Sequence, residues 1–115
     1  FGDKIDVYSG NDELTVPIMS VGGKGVISVV SNILPAETHE MCISCLQGDF
    51  NRGKKLQIEM LGLIDALFCE INPIPVKTAM EMLGLCSSEM RLPLCEMEDE
   101  NKSILKKALE NYGLI

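Results

Sequence analysis

Two stretches near the start of the chain have the residue pattern of β-strands, and each is followed by a helical pattern. Residues 5–9 alternate briefly between apolar and polar side chains. Residues 25–30 form an almost continuous β-branched run, which is typical of a parallel strand covered on both faces. Helix-capping residue types follow the first strand, and the two helices are predicted to end at Gly22 and Gly48. The first part of the chain is therefore predicted to be βαβα, with its second helix over residues 36–47.

Helical periodicity alone fills the rest of the chain. A long helix is predicted over about residues 50–69, a second from Pro75 to Gly84, and a last one that begins near Glu98 and is capped by Gly113. The side chains expected to face the core from the first and last of these helices are Leu56, Met60, Leu63, Ile64, Leu67, Ile104, Leu105, Ala108, Leu109 and Tyr112. No further strand is predicted.

Composition and charge limit the classes of protein that the chain can belong to. With 46% hydrophobic residues among 115, the chain can bury a core. A net charge of −7, with basic residues clustered only in isolated pairs, argues against nucleic acid as a partner. No apolar run reaches the roughly 18 residues of a membrane-spanning helix, and residues 1–4 lack a signal-peptide pattern, so a soluble chain with no membrane partner is expected. Five scattered cysteines, an odd number, favour a reduced, cytoplasmic protein.

The two predicted strands need a cover that the chain does not offer. Two adjacent parallel strands cannot close a sheet or pair their outer edges, yet these strands are too apolar to face water. A parallel βα pair is the repeating unit of a (β/α)₈ barrel, which needs about 250 residues. We therefore expect either that the chain is part of a longer protein or that another chain covers the strands.

Three sets of residues resemble the dihydrodipicolinate synthase family. The first is Ser-Gly-Asn-Asp at positions 9–12, and the second is the glycine-rich and apolar run at positions 22–29. The third is Asn-Pro-Ile-Pro-Val-Lys at positions 72–77, followed at family-like spacing by Leu-Gly-Leu at 83–85 and Arg-Leu-Pro at 91–93. The resemblance covers nearly the whole chain but less than half of a family member.

The resemblance implies an α/β fold, the C-terminal part of a (β/α)₈ TIM barrel followed by a helical extension. The two predicted strands would be the seventh and eighth of the barrel. Residues 1–49 would then hold the last two βα units and residues 50–115 a three-helix extension, so the chain would be mainly helical. Family members are usually homotetramers, and they make the first committed intermediate of lysine and diaminopimelate synthesis. A homo-oligomer is therefore expected, as is self-association of this chain on its own.

The same resemblance implies that the chain lacks the chemical centre of the enzyme. In the family, a lysine on the sixth strand forms a Schiff base with pyruvate, whose enamine attacks aspartate semialdehyde. That lysine, and the tyrosines and threonine of the proton relay, would precede Phe1. No catalytic residue, cofactor or metal is therefore assigned to this chain, which is expected to be inactive alone. Lys77 is the only lysine considered as a substitute, and an ordinary surface position explains it better.

Three residues are candidates for contact with substrate. At Gly10, a glycine either permits a turn with positive φ or lets a ligand approach the backbone, and the resemblance implies contact with the aldehyde substrate. Ile27 has the pattern of a core residue, but in the family the main-chain carbonyl at this position faces pyruvate. Asn72, by its pattern a loop residue or a helix cap, corresponds to an asparagine that orients the second substrate. Asn11 replaces a residue that is often aspartate in the family, so its side chain is assigned no role.

One group of residues has the chemistry of metal ligands. His39, Cys42 and Cys45 fall at i, i+3 and i+6 of one predicted helix. A zinc site would need a second pair of ligands at short spacing, which the sequence lacks. Packing within the helix is therefore the better explanation.

Two other functions stay open. Another pyruvate-dependent aldolase, such as N-acetylneuraminate lyase, would share the barrel, although the run at positions 72–77 is less expected there. A non-enzymatic helical module that binds partner chains would require the strands to be misassigned, and residues 26–30 would then be helical.

Overall fold

The computed structural model describes residues 2–115, except the side chain of Asp3. Phe1, the first residue of the first predicted domain, lies outside the described residues. Within this range the chain is mainly helical, as predicted, and none of its helices is long and apolar enough to cross a membrane. The strands are β1 (Tyr8–Ser9) and β2 (Gly25–Val26), and the helices are α1 (Thr15–Ser20), α2 (Pro35–Leu46), α3 (Phe50–Leu67), α4 (Ile74–Met82) and α5 (Asp99–Tyr112). Short 3₁₀ turns span Gly2–Lys4, Asp12–Leu14 and Val30–Asn32.

The two strands pair in parallel, as predicted, but they are shorter than the sequence indicates. Ser9 lies opposite Val26 in the register. The first strand lacks the first three of its predicted residues, 5–9, and the second ends well before Val30, which begins a 3₁₀ turn. A β-branched run favours extended backbone, but within the described residues each strand has one neighbour, so the strands end where their shared hydrogen bonds end. Because the parallel pair forms, the alternative of a non-enzymatic helical module, which requires the strands to be misassigned, is not favoured.

Local signals predict the helices well. The helices from α2 to α5 begin and end within two residues of their predicted bounds. Gly48 and Gly113 follow α2 and α5 with φ of +87° each, the left-handed conformation that glycine adopts without strain. Before α1, the Asn11 side chain accepts a hydrogen bond from the Glu13 N–H at 3.3 Å, as an N-cap does.

The chain divides into two compact units, residues 1–61 and 62–115. This division falls within α3, whereas the sequence places a boundary between residues 49 and 50, and that domain assignment stays a prediction. In the first unit, α2 and α3 approach so closely that a Cβ on Gly53 would overlap the sulfur of Cys45, which explains the glycine. The buried apolar side chains of the first unit are Met19, Val30, Ile33, Leu34, Met41, Cys45, Leu56 and Met60.

In the second unit, α4 and α5 pack against each other. Leu105 and Leu109 of α5 are fully buried, as predicted, but Ile104 is 48% exposed, so its predicted place in the core is wrong. At the start of α5, a carboxylate oxygen of Glu70 accepts a hydrogen bond from the Glu98 N–H at 3.0 Å. The buried apolar side chains of the second unit are Leu63, Ile64, Ala66, Leu67, Ile74, Val76, Ala79, Met97, Leu105 and Leu109.

Candidate functional site

Two of the three predicted site residues lie side by side at the carboxyl ends of the strands. Gly10 follows β1 and Ile27 follows β2, and the pairing of Ser9 with Val26 makes these next residues neighbours. The Ile27 N–H donates to the Ser9 carbonyl oxygen at 2.8 Å, which ties the two strand ends together. In parallel sheets, ligands bind outside the carboxyl ends of the strands. The two predicted residues are therefore positioned at the edge where a ligand is expected.

The space around Gly10 is open. The residue is exposed, and a Cβ at this position would meet no other atom of the described residues within 4 Å. Its φ does not lie in the left-handed region, so the explanation as a turn that needs positive φ is wrong. The missing side chain leaves backbone that a ligand can approach directly.

The side chain of Ile27 does not fill a core, because 74% of its surface is exposed within the described structure. A core position for this side chain would therefore require atoms outside the described residues. The strand pairing ends at the Ile27 N–H, and the Ile27 carbonyl oxygen accepts none of the hydrogen bonds found among residues 2–115. Among the described residues, this carbonyl is therefore a free acceptor at the end of β2.

A buried aspartate connects the loops that follow the two strands. Asp12 is 2% exposed, and its Oδ2 accepts hydrogen bonds from the backbone N–H groups of Val29, at 2.9 Å, and Val30, at 3.1 Å. These donors belong to the start of a 3₁₀ turn, where backbone N–H groups have no acceptor within the turn itself. Its other oxygen, Oδ1, has no hydrogen-bond partner among the described residues. The Asp12 carboxylate therefore caps a turn that follows the other strand.

Side chains from two helices form hydrogen bonds with the backbone of Asp12. The Asp12 carbonyl oxygen accepts from Thr15 Oγ1 at 2.9 Å and from Gln57 Nε2 at 3.0 Å. Gln57 Oε1 accepts from the Val16 N–H at 3.2 Å, so both ends of this buried amide are used. The loop that carries Gly10 is thereby fixed against α1 and α3.

The sequence alone does not identify Asp12 as a site residue. Asn11 and Asp12 are both helix-capping residue types, and only Asn11 caps the turn that follows it. One capping residue is enough for one helix start, so a second one directly after it is the only feature of the sequence that indicates another role for Asp12. No sequence rule joins Asp12 to Val29, seventeen positions away, because that contact depends on the pairing of the strands.

The third predicted site residue, Asn72, lies in the second compact unit. It is exposed in the loop between α3 and α4 and is joined to Pro73 by a cis peptide bond. Pro73, not Asn72, occupies the N-cap position of α4. The prediction that Asn72 is a loop residue is therefore confirmed, and the alternative that it caps α4 is wrong.

Neither Lys24 nor Lys77 belongs to the loops that directly follow the two strands. Lys24 is exposed and directly precedes β2, so it lies at the amino end of that strand. Lys77 lies on α4 and donates a hydrogen bond to the Glu89 carbonyl oxygen. An ordinary helix-surface position accounts for Lys77, as the sequence indicates.

The cysteines are free thiols. Burial raises the pKa of Cys42, and the neighbouring Cys45 and Asp12 raise this pKa further. Burial, with a smaller effect of Asp49, also raises the pKa of Cys45. A raised pKa lowers the fraction of thiolate, which is the form that attacks carbon or binds a metal. Among residues 2–115, no three His, Cys, Asp or Glu side chains are grouped so that they could hold a metal ion.

Together, the groups at this edge of the sheet can bind and orient a ligand. A free carbonyl accepts a hydrogen bond, an open glycine admits close approach, and a buried carboxylate holds the two loops in register. None of these groups is an amine nucleophile, and the loops that follow the two strands contain no lysine. Positioning of a ligand is therefore the chemistry that the site can perform.

The chain matches the model of the dihydrodipicolinate synthetase family over residues 1–112. It is 54% identical over 112 residues to a 4-hydroxy-tetrahydrodipicolinate synthase from Methanocaldococcus jannaschii, with 97% of this chain and 39% of that protein covered.

Two solved structures extend the comparison. A dihydrodipicolinate synthase from Aquifex aeolicus is 47% identical with a TM-score of 0.96, with 99% of this chain and 39% of that chain covered. A chloride-inhibited dihydrodipicolinate synthase from Acinetobacter baumannii, complexed with pyruvate, is 39% identical with a TM-score of 0.94, with 97% and 38% covered. The chain thus spans less than two fifths of the length of these relatives.

Proposed function

The chain belongs to the dihydrodipicolinate synthetase family, and from this premise we propose that it is the C-terminal portion of a dihydrodipicolinate synthase. The complete enzyme is a lyase that condenses pyruvate with aspartate semialdehyde through a lysine Schiff base, in lysine and diaminopimelate biosynthesis. The proposal depends most on the family match over residues 1–112, which includes Gly10 and Ile27 side by side at the carboxyl ends of two parallel strands.

In this proposal β1 and β2 are the seventh and eighth strands of a (β/α)₈ barrel, and the helices from α3 onward form its C-terminal extension. The exposed apolar side chains around the strands support this assignment. Ile5, Val7 and Tyr8 are more than half exposed, and Ile27 is more exposed still. Apolar side chains beside unpaired strand edges need a cover, and the remaining strands of a barrel supply one.

The reacting lysine and the proton-relay residues belong to earlier strands, before Phe1 in the complete enzyme. The lysine amine attacks the carbonyl carbon of pyruvate, and loss of water gives an imine. Removal of a proton from the pyruvate methyl group then gives an enamine, whose carbon forms the new bond with the aldehyde carbon. The loops that follow β1 and β2 contain no lysine, which supports a lysine from elsewhere. The present chain alone is inactive, and the reaction needs no cofactor.

The part that this chain plays is to position the two substrates. The Ile27 carbonyl oxygen faces the bound pyruvate, Gly10 leaves room for aspartate semialdehyde, and Asn72 orients that second substrate. The free Ile27 carbonyl and the open space at Gly10 support these roles. The Acinetobacter relative, which is complexed with pyruvate, supports pyruvate as a ligand.

The complete enzyme is a homo-oligomer, a tetramer as in much of the family, and it works in the cytoplasm. Exposed apolar side chains, such as Val21 after α1 and Ile58 in α3, support association between copies. The free cysteines are compatible with a reducing compartment.

Trapping of pyruvate with borohydride on the full-length protein tests the proposed function. Borohydride reduces the imine to a stable secondary amine, so the bound pyruvate stays on the lysine that formed it. We expect one labelled peptide, located by mass spectrometry outside residues 1–115, and loss of labelling when pyruvate is left out.

Two outcomes would contradict the proposal. A protein that traps no pyruvate is not a Schiff-base enzyme, and a label on Lys24 or Lys77 would mean that this chain carries the nucleophile. Turnover assays with the same preparation separate the two aldolases, because a synthase consumes pyruvate with aspartate semialdehyde, whereas the lyase alternative cleaves N-acetylneuraminate.

A further inference from the structure

The end of β1 and the loop after it accept two hydrogen bonds from the loop after β2, one before and one after the peptide group between Ile27 and Ser28. The Ile27 N–H donates to the Ser9 carbonyl oxygen at 2.8 Å, and the Val29 N–H donates to Asp12 Oδ2 at 2.9 Å. The peptide group between Ile27 and Ser28, which contains the free carbonyl, lies between these two anchors. Because peptide groups are planar, only the φ and ψ angles of Ile27 and Ser28 are left to vary between the anchors. The direction of the Ile27 carbonyl therefore depends on both anchors.

Of the two anchors, Asp12 is the one made by a side chain. One carboxylate oxygen accepts from both Val29 and Val30, and hydrogen bonds to a carboxylate are stronger than those between neutral groups. Asp12 is almost fully buried, so water cannot replace these bonds readily.

The other side-chain hydrogen bonds of the turn are local. Ser28 Oγ accepts from the Ser31 N–H at 2.9 Å, and Ser31 Oγ donates to the Ser28 carbonyl oxygen at 3.2 Å. These bonds shape the turn itself, but they cannot fix it relative to β1. The Asp12 carboxylate links the turn to the loop that carries Gly10.

We propose that Asp12 is a positioning residue, which directs the Ile27 carbonyl toward pyruvate by holding the Val29 and Val30 N–H groups. The inference rests on the proposed function, since that function supplies the ligand of the carbonyl. Asp12 is buried, so it acts on the substrates through the backbone groups that it holds. Asp12 also links the loop that contains the Ile27 carbonyl to the loop that contains Gly10, so the groups that bind the two substrates are held relative to each other.

Kinetics of the full-length enzyme with Asp12→Asn test the inference. The amide has nearly the same size and keeps one accepting oxygen, so the fold is retained. Its NH₂ group, however, would be buried at the position of Oδ1, which has no hydrogen-bond partner among the described residues. We expect kcat/KM for pyruvate and the rate of pyruvate trapping to fall by up to about 100-fold, the effect of a small displacement of a positioning group. Asp12→Ala should lower kcat/KM for pyruvate further than Asp12→Asn does. In Asp12→Asn, KM for aspartate semialdehyde should stay near its wild-type value.

Two control variants separate positioning from general damage. Glu13→Gln makes the same chemical change on the neighbouring exposed carboxylate and should leave the pyruvate kinetics unchanged. Met41→Ala, in the core of the first unit, should lower Tm without changing kcat/KM for pyruvate.

Unchanged pyruvate kinetics in Asp12→Asn, or a loss no larger than that of Met41→Ala, would overturn the inference. If the wild-type protein traps no pyruvate, the proposed function fails and the inference fails with it. If the wild-type protein traps pyruvate and Asp12→Asn traps it equally well, the inference alone fails.

Discussion

Gly10 and Gly53 are both glycines without left-handed backbone, yet their surroundings are opposite. At Gly53 the sulfur of Cys45 occupies the place of a Cβ, so a packing contact explains the residue. At Gly10 a Cβ would meet nothing, so neither packing nor backbone strain within the described residues explains it. A glycine that the fold does not need is a candidate for a role in binding, and the resemblance to the family implies that the ligand is the aldehyde substrate.

Substitution of Gly10 by alanine should separate binding from stability. In the full-length enzyme, Gly10→Ala should leave stability unchanged or raise it by about 0.4–1 kcal/mol, because alanine restricts the unfolded chain and fits the folded backbone. The added methyl group should hinder the approach of aspartate semialdehyde and raise its KM, while KM for pyruvate changes little. Steady-state kinetics with each substrate, together with urea unfolding, measure both effects.

Gly62→Ala is the matched control for this prediction. Gly62 lies within α3, where a Cβ also meets nothing, and alanine there should stabilise the helix by about 0.5–1 kcal/mol without changing either KM. A Gly10→Ala enzyme with the wild-type KM for the aldehyde would contradict the binding role of Gly10.

At the scale of elements, α5 shows how far an apolar pattern identifies the buried face of a helix. Leu105 and Leu109, four residues apart, are fully buried, whereas the adjacent Ile104 is half exposed. All three are apolar, so composition cannot distinguish them. Their positions around the helix decide, because each residue turns the side chain by about 100°.

Leu105→Ala and Ile104→Ala should therefore differ in their effect on stability. Removal of the Leu105 side chain leaves a cavity in the second unit and should lower the free energy of unfolding by about 2–5 kcal/mol. Ile104→Ala removes a half-exposed side chain and should cost less than about 1 kcal/mol. Urea unfolding of the full-length variants measures the difference, and equal losses would mean that α5 is rotated relative to the structure described here.

At the scale of the whole molecule, the two strands have unpaired edges and exposed apolar side chains. Each has one neighbour within the described residues, and Ile5, Val7 and Tyr8 expose most of their apolar surface. Unpaired edges with apolar side chains bind further strands wherever they find them. In the proposed full-length enzyme, the rest of the barrel would cover these edges.

The isolated chain should therefore self-associate at micromolar concentration. Val7→Lys should weaken the association, because a charged side chain beside a strand edge opposes pairing with another chain. Leu92→Lys, at an exposed loop position in the second unit, is the control and should leave the association unchanged. Size-exclusion chromatography with light scattering measures the mass, and a clean monomer of the unchanged chain would contradict the prediction.

Part of the site could be predicted from the sequence, and part could not. The resemblance to a family identifies Gly10, Ile27 and Asn72 as candidates. The strand pattern predicts that Gly10 follows the first of two parallel strands, but it places Ile27 within the second strand and not after it. The exposure of the Ile27 side chain and the partners of Asp12 could not be predicted, because both depend on which distant groups lie nearby.

The sequence by itself determined the helices, their ends and the order of the elements. These depend on interactions between residues a few positions apart, such as the capping contact of Asn11 and the left-handed glycines at Gly48 and Gly113. Only the tertiary structure decided where the strands end, which residue caps the turn after β2, and which carbonyl is left free. Those outcomes depend on hydrogen bonds between residues far apart in the chain, and such partners become neighbours only when the strands pair and the helices pack.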